Sequence, residues 1–174
     1  MPEATNEQSP RWIHKLDVPT SDAMTDLGRQ LASALEPGDL VVLTGDLGAG
    51  KTTLTQGIGQ GLEVRGRISS PTFIIARTHL PDSEGPALVH VDAYRIRTLA
   101  EVDDLDLDAA VEDSVTVVEW GAGLVDDLSD DRLEITIGRE RGAGGEEGNR
   151  TMVISAYGAR WLSVDPGELL KSVQ

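Results

Sequence analysis

Eight consecutive residues, Gly45-Asp46-Leu47-Gly48-Ala49-Gly50-Lys51-Thr52, carry the strongest chemical signal in the chain. They match the phosphate-binding pattern of Gly, four residues, Gly, Lys and then Ser or Thr. Glycines allow positive φ and a close wrap around a polyphosphate, so that successive N–H groups converge on the anion. Lys51 can reach the β- and γ-phosphates as a compact cation. The Thr52 hydroxyl is a hard ligand for Mg²⁺, which keeps further ligands from water and phosphate. Asp46, Gly48, Ala49, Gly50, Lys51, Thr52 and Thr53 are the residues expected to cradle the phosphates. The ligand this implies is a nucleoside triphosphate.

Hydrolysis needs more than the loop. In an open α/β sheet, ligands gather at the carboxyl ends of the strands, and two acidic residues close apolar runs there. Asp92 ends Leu88-Val89-His90-Val91-Asp92, and Glu119 ends Val115-Thr116-Val117-Val118-Glu119. One would hold Mg²⁺, directly or through water, and the other would orient the attacking water. The residue pattern leaves that division open. Thr72, in an extended segment after the phosphate-loop helix, is a third candidate, as a sensor of the γ-phosphate.

These side chains need elements to position them. Before the loop, residues 39–44 form a short β-branched run that predicts a buried strand. After it, Leu54, Ile58 and Leu62 share one face of a helix over residues 51–62. Strand, glycine loop and helix in that order aim a helix N-terminus at phosphate. Close packing of this helix on the sheet would account for Gly57, Gly59 and Gly61, and local flexibility would account for them equally well. Upstream, residues 1–10 are polar and expected to be disordered. Residues 12–18 read as an edge strand, and Thr20 or Ser21 caps a helix whose buried stripe is Met24, Leu27, Leu31 and Leu35.

Residues 63–70 read as an exposed loop. Residues 72–78 and 87–92 are strand-like and joined too closely for a helical crossover, which predicts an antiparallel hairpin. Residues 97–113 are acidic and partly helical, with Leu99, Val102 and Leu105 at helical spacing. Residues 133–137 and 151–155 form another strand pair, joined by a charged, glycine-rich loop over 139–149. The expected fold is α/β of the three-layer phosphate-loop type, a mixed sheet with helices on both faces, in one domain over residues 11–174.

The 174 residues suit a single domain with a full core. A formal charge of −15 opposes direct binding of DNA, RNA or anionic lipid. The chain has no cysteine, which excludes disulfides and thiolate chemistry, and its three histidines lack metal-ligand spacing. No apolar run approaches membrane-spanning length, and the expected location is the cytosol.

Four blocks in series resemble the TsaE family, small bacterial ATPases that assist threonylcarbamoyladenosine modification of tRNA. They are the phosphate loop through Thr53-Leu54, Ser70-Pro71-Thr72-Phe73, His90-Val91-Asp92-Ala93-Tyr94-Arg95, and Val118-Glu119-Trp120. The resemblance implies ATP as the nucleotide, Mg²⁺ held by Thr52 and Glu119, and Asp92 near the metal and the reactive water. It further implies that Thr20 and Ser21 lie near the base and Trp120 beside the site. Partner subunits TsaD and TsaB would carry the tRNA and the transfer chemistry, and ATP hydrolysis would reset their complex between turnovers. In this chain Gly121-Ala122-Gly123 follows Trp120, where the family usually has proline or serine.

Two other classes compete. A small-molecule kinase would need a lid rich in arginine, for which Arg139, Arg141 and Arg150 are candidates, offset by Glu140, Glu146 and Glu147. A GTP switch would need the Asn-Lys-x-Asp guanine motif, which is absent.

Overall fold

The computed structural model describes residues 9–46, 48–69, 76–93, 112–120, 129–141 and 147–171. Thr72 with its flanking block, residues 94–111, and the glycines after Trp120 lie outside the described residues. Seven strands form one sheet: β1 (Trp12–Val18), β2 (Leu40–Gly45), β3 (Ala76–His79), β4 (Ala87–Asp92), β5 (Ser114–Glu119), β6 (Arg132–Arg141) and β7 (Glu147–Tyr157). Their order is β1-β7-β6-β2-β5-β4-β3. The inner strands β6, β2, β5 and β4 run parallel; β7 and β3 pair antiparallel with β6 and β4, and β1 pairs antiparallel with β7. The sheet is therefore mixed, as the hairpin and crossover lengths predicted.

Strand composition follows position. Central β2 and β5 are buried on both faces and are nearly continuous runs of Val and Leu. Edge strand β1 alternates half-buried and exposed residues along its length. Val41, Leu43, Val115 and Val117 join the main core with helices α1 (Ser21–Ala32) and α2 (Lys51–Gly61). Leu40, Val42, Val91 and Val118 alternate with them onto the opposite face and are equally buried. No helix among the described residues is long and apolar enough to cross a membrane.

Helix α1 starts as expected. Thr20 is its N-cap, with its side chain accepting a hydrogen bond from the Ala23 N–H at 3.0 Å. Two of the three glycines of α2 pack against a helix and not against the sheet. Gly57 and Gly61 face α1, and only Gly59 turns toward Ile68, Val64 and β4. On α1, Gly28 completes the crossing: a Cβ there would stand 2.5 Å from the Leu54 carbonyl oxygen and 2.7 Å from the Ile58 nitrogen. Gly28→Ala should therefore destabilise the protein by about 2 kcal/mol, overpacking outweighing the roughly 1 kcal/mol gain in helix propensity. Thermal melting should show a drop of about 4–8 °C. Gly138→Ala, on β6 with its nearest neighbour 3.7 Å from the new Cβ, should leave the midpoint within a degree or two.

Three further features bear on the site and the core. Residues 63–69 are mostly exposed, as expected, but Ile68 is buried and Val64 bridges to Pro81. Strands β6 and β7 extend well into the stretch read as a loop, so Arg139 and Arg150 face each other in strand register. The C-terminal segment belongs to the core. A 3-10 turn (Ala159–Trp161) buries Trp161 completely, edge-on to Trp12, and α3 (Pro166–Leu169) follows. Arg160 stacks on Trp161 and donates to buried Asp39 at 2.9 Å, tying this segment to the start of β2. Burial pushes the Asp39 carboxyl above its usual range, while the Glu36 N–H and Arg160 pull it back.

Candidate active site

The phosphate loop leaves the carboxyl end of β2, between β5 and β6, and opens directly into α2. Positive φ at Gly48 (79°) and Gly50 (115°) bends the backbone through conformations that side-chain-bearing residues rarely adopt. Ala49 is buried under the turn, and its N–H closes it on the Asp46 carbonyl at 2.9 Å. Thr53 sits half-buried in the first turn of α2. The helix N-terminus and its unpaired N–H groups thus face the bowl of the loop.

Lys51 is 6% exposed. Its ammonium donates to the carbonyls of Gly45 (2.7 Å) and Asp46 (3.0 Å) and lies 4.2 Å from the centre of the Trp120 ring. Burial pushes its pKa below the usual lysine range, against the pull of the Glu119, Asp92 and Asp46 carboxylates. Trp120 holds its place at a backbone cost. Its φ is 63°, rare for a residue with a large side chain, and its N–H is bonded to the Leu43 carbonyl at 2.9 Å. Such strain concentrates where geometry serves a function.

The two strand-end carboxylates are neighbours. Asp92 and Glu119 are register partners across β4 and β5, so both side chains project to one face. The Thr52 hydroxyl donates to Glu119 Oε1 at 3.1 Å, joining the phosphate loop to the carboxylate pair. Hard oxygen donors beside a phosphate loop suit Mg²⁺, whose remaining positions go to water and phosphate. Glu119 is 2% exposed.

Behind it stands a buried histidine of β4. His90 is fully buried, with Nε2 3.6 Å from Glu119 Oε1 and no hydrogen-bond partner for its ring nitrogens among the described residues. Its position two residues before Asp92 puts it on the same face of the strand, and that alternation was the available signal.

Of the other expected site residues, Thr20 and Ser21 lie exposed at the start of α1. One turn on, the Met24 methyl lies 3.1 Å from where a Gly50 Cβ would stand. Asp46 and Gly48 are exposed on the loop. Of the arginines weighed for a lid, Arg150 instead donates to the carbonyls of Ala49 and Gly48.

The chain matches the family described as "Threonylcarbamoyl adenosine biosynthesis protein TsaE" over residues 18–149. The tRNA threonylcarbamoyladenosine biosynthesis protein TsaE of Streptomyces coelicolor is 54% identical over 143 residues, 82% of this chain and 96% of that protein. The protein of the same name from Bacillus subtilis is 38% identical over 136 residues, covering 78% and 80%. Among solved structures, the crystal structure of Bacillus subtilis YdiB superposes with a TM-score of 0.65 at 26% identity, covering 93% of this chain and 94% of that one. That neighbour accords with the phosphate-loop NTPase-like fold.

Proposed function

The chain belongs to the TsaE family, which acts in the biosynthesis of threonylcarbamoyladenosine in tRNA, and from that premise we propose that it is the Mg²⁺-dependent ATPase of the system. On this reading it docks on a TsaB–TsaD complex and uses ATP hydrolysis to reset that complex between turnovers. The tRNA is met only through the partners, in keeping with a net charge of −15. The observation that carries the ATPase reading is the 3.1 Å hydrogen bond from Thr52 to Glu119, with Asp92 beside it in register. A phosphate-loop hydroxyl meeting a strand-end carboxylate is the donor set that Mg²⁺-nucleotide chemistry requires.

This reading gives each residue a role. Loop N–H groups bind the phosphate oxygens, and Lys51 turns from the Gly45 and Asp46 carbonyls to the β- and γ-phosphates. Thr52 and Glu119 would hold Mg²⁺, which when bound neutralises charge on the phosphate oxygens. Asp92 accepts a hydrogen bond from the attacking water and orients it. Trp120 covers the lysine and limits water around it, and Thr20 and Ser21 border the base.

The test is Mg²⁺ dependence. Calorimetric titration of ATP into the parent should show affinity rising when Mg²⁺ is added. Glu119→Ala and the near-isosteric Glu119→Gln should lose most of that rise while retaining the parent's far-ultraviolet spectrum. A full Mg²⁺ effect in both variants would remove Glu119 from the metal site.

A further inference from the structure

A phosphate loop that turns its N–H groups inward turns its carbonyls outward, and those oxygens need donors of their own. Here each described stretch of the loop has one. Gly45 and Asp46 carbonyls accept from Lys51, and Gly50 accepts from the Leu54 N–H at 2.9 Å within α2. The two described carbonyls between them, on Gly48 and Ala49, accept from Arg150. Its Nε lies 2.7 Å from the Ala49 oxygen and its Nη2 3.2 Å from the Gly48 oxygen. This arginine comes from β7, 101 residues beyond Ala49.

Both ends of the contact are anchored. The Arg150 backbone is paired on one side with Val18 of β1 and on the other with Arg139 of β6. Its Cδ lies 3.7 Å from where a Gly50 Cβ would stand, and Arg139 Nη1 lies 3.6 Å from the equivalent point at Gly48. The sheet thus presents two guanidinium groups to the outer side of the loop.

We propose that Arg150 is a positioning residue that braces the phosphate loop in its anion-binding shape, with Arg139 adding positive charge beside it. The inference rests on the nucleotide-binding reading above. A planar guanidinium gripping two successive carbonyls sets the relative tilt of two peptide planes, which a lysine ammonium cannot do. Its charge on the carbonyl side also polarises those peptides, and the Gly50 N–H, on the peptide that carries the Ala49 carbonyl, becomes a better partner for phosphate. The division of labour with Lys51 is specific. Lys51 must leave its carbonyls to meet a phosphate, whereas Arg150 holds Gly48 and Ala49 whether or not ligand is bound.

A brace acts on every ligand that uses the loop. Calorimetric titration of the parent, Arg150→Ala and Arg150→Lys with ATP, ADP and AMP distinguishes this from a direct phosphate contact. Arg150→Ala should weaken ATP and ADP by the same factor, about tenfold for the loss of a charge-assisted hydrogen bond, and should leave AMP almost unchanged. Arg150→Lys, which keeps the charge and loses the fork, should recover only part of the loss. Added methylguanidine should restore affinity to the alanine variant and leave the lysine variant unaffected. Loss of ATP affinity with ADP affinity intact would overturn the brace and make Arg150 a γ-phosphate contact. Parent-like affinity for both nucleotides, in a variant that melts as the parent does, would remove it from the site. Failure of the parent itself to bind ATP would instead overturn the nucleotide reading.

Discussion

Lys51→Ala is expected to weaken ATP binding by about ten- to a hundredfold. A charge-assisted contact to phosphate contributes roughly 1.5–3 kcal/mol, and about 1.4 kcal/mol is a factor of ten. The ammonium already sits over the loop, held by the Gly45 and Asp46 carbonyls and the Trp120 ring. Its shift to an entering phosphate exchanges neutral acceptors for an anionic one. AMP, which lacks the β- and γ-phosphates, should bind parent and variant alike. The sign of the pH effect follows from the lowered lysine pKa. Lys51 loses its charge at lower pH than an exposed lysine, so ATP affinity should decline early on the alkaline side in the parent, and that decline should be absent from the alanine variant. Calorimetry across pH checks both, and equal ATP affinity in the two proteins would contradict the assignment.

The parts of the site that were legible in the sequence were those held by local pattern. Gly45 to Thr52 announces its own conformation because positive φ at Gly48 and Gly50 is written in the residue type. Asp92 and Glu119 were legible because each ends a β-branched run, and parallel strands bring such ends together. Long-range partners were not legible. Nothing local marks Arg150 as a neighbour of Ala49, since that contact depends on the register of β7 in the sheet.

The same reason hid the packing of Gly57 against α1 and the burial of Trp161 in the C-terminal segment. His90 lies on a strand, where an ordinary strand histidine would be. A lone strand histidine is usually an ordinary core residue, and its distance from Glu119 appears only once β4 and β5 are paired. Thr72, expected as a γ-phosphate sensor, lies outside the described residues.

The largest effect expected of the whole system is stimulation of ATP turnover by the proposed partners. Phosphoryl transfer needs positive charge beyond lysine and Mg²⁺, and an arginine supplied by a partner is worth a factor of 10³–10⁵ in comparable enzymes. In this chain five of the described arginines are committed to partners of their own. Arg150 grips the loop carbonyls, Arg160 pairs with Asp39, Arg132 with Glu134, Arg65 with Asp82, and Arg29 with Asp26. On the proposed reading, docking completes the charge around the γ-phosphate, and the loss of that phosphate weakens the docked state, which resets the partner complex. The decisive measurement is steady-state ATP turnover by the isolated chain and by the same chain with TsaB and TsaD added, with Glu119→Gln as the control. The account predicts a rise of about a hundredfold or more on adding the partners, abolished in the variant. An isolated chain that already turns over ATP at the rate of the full assembly would contradict it.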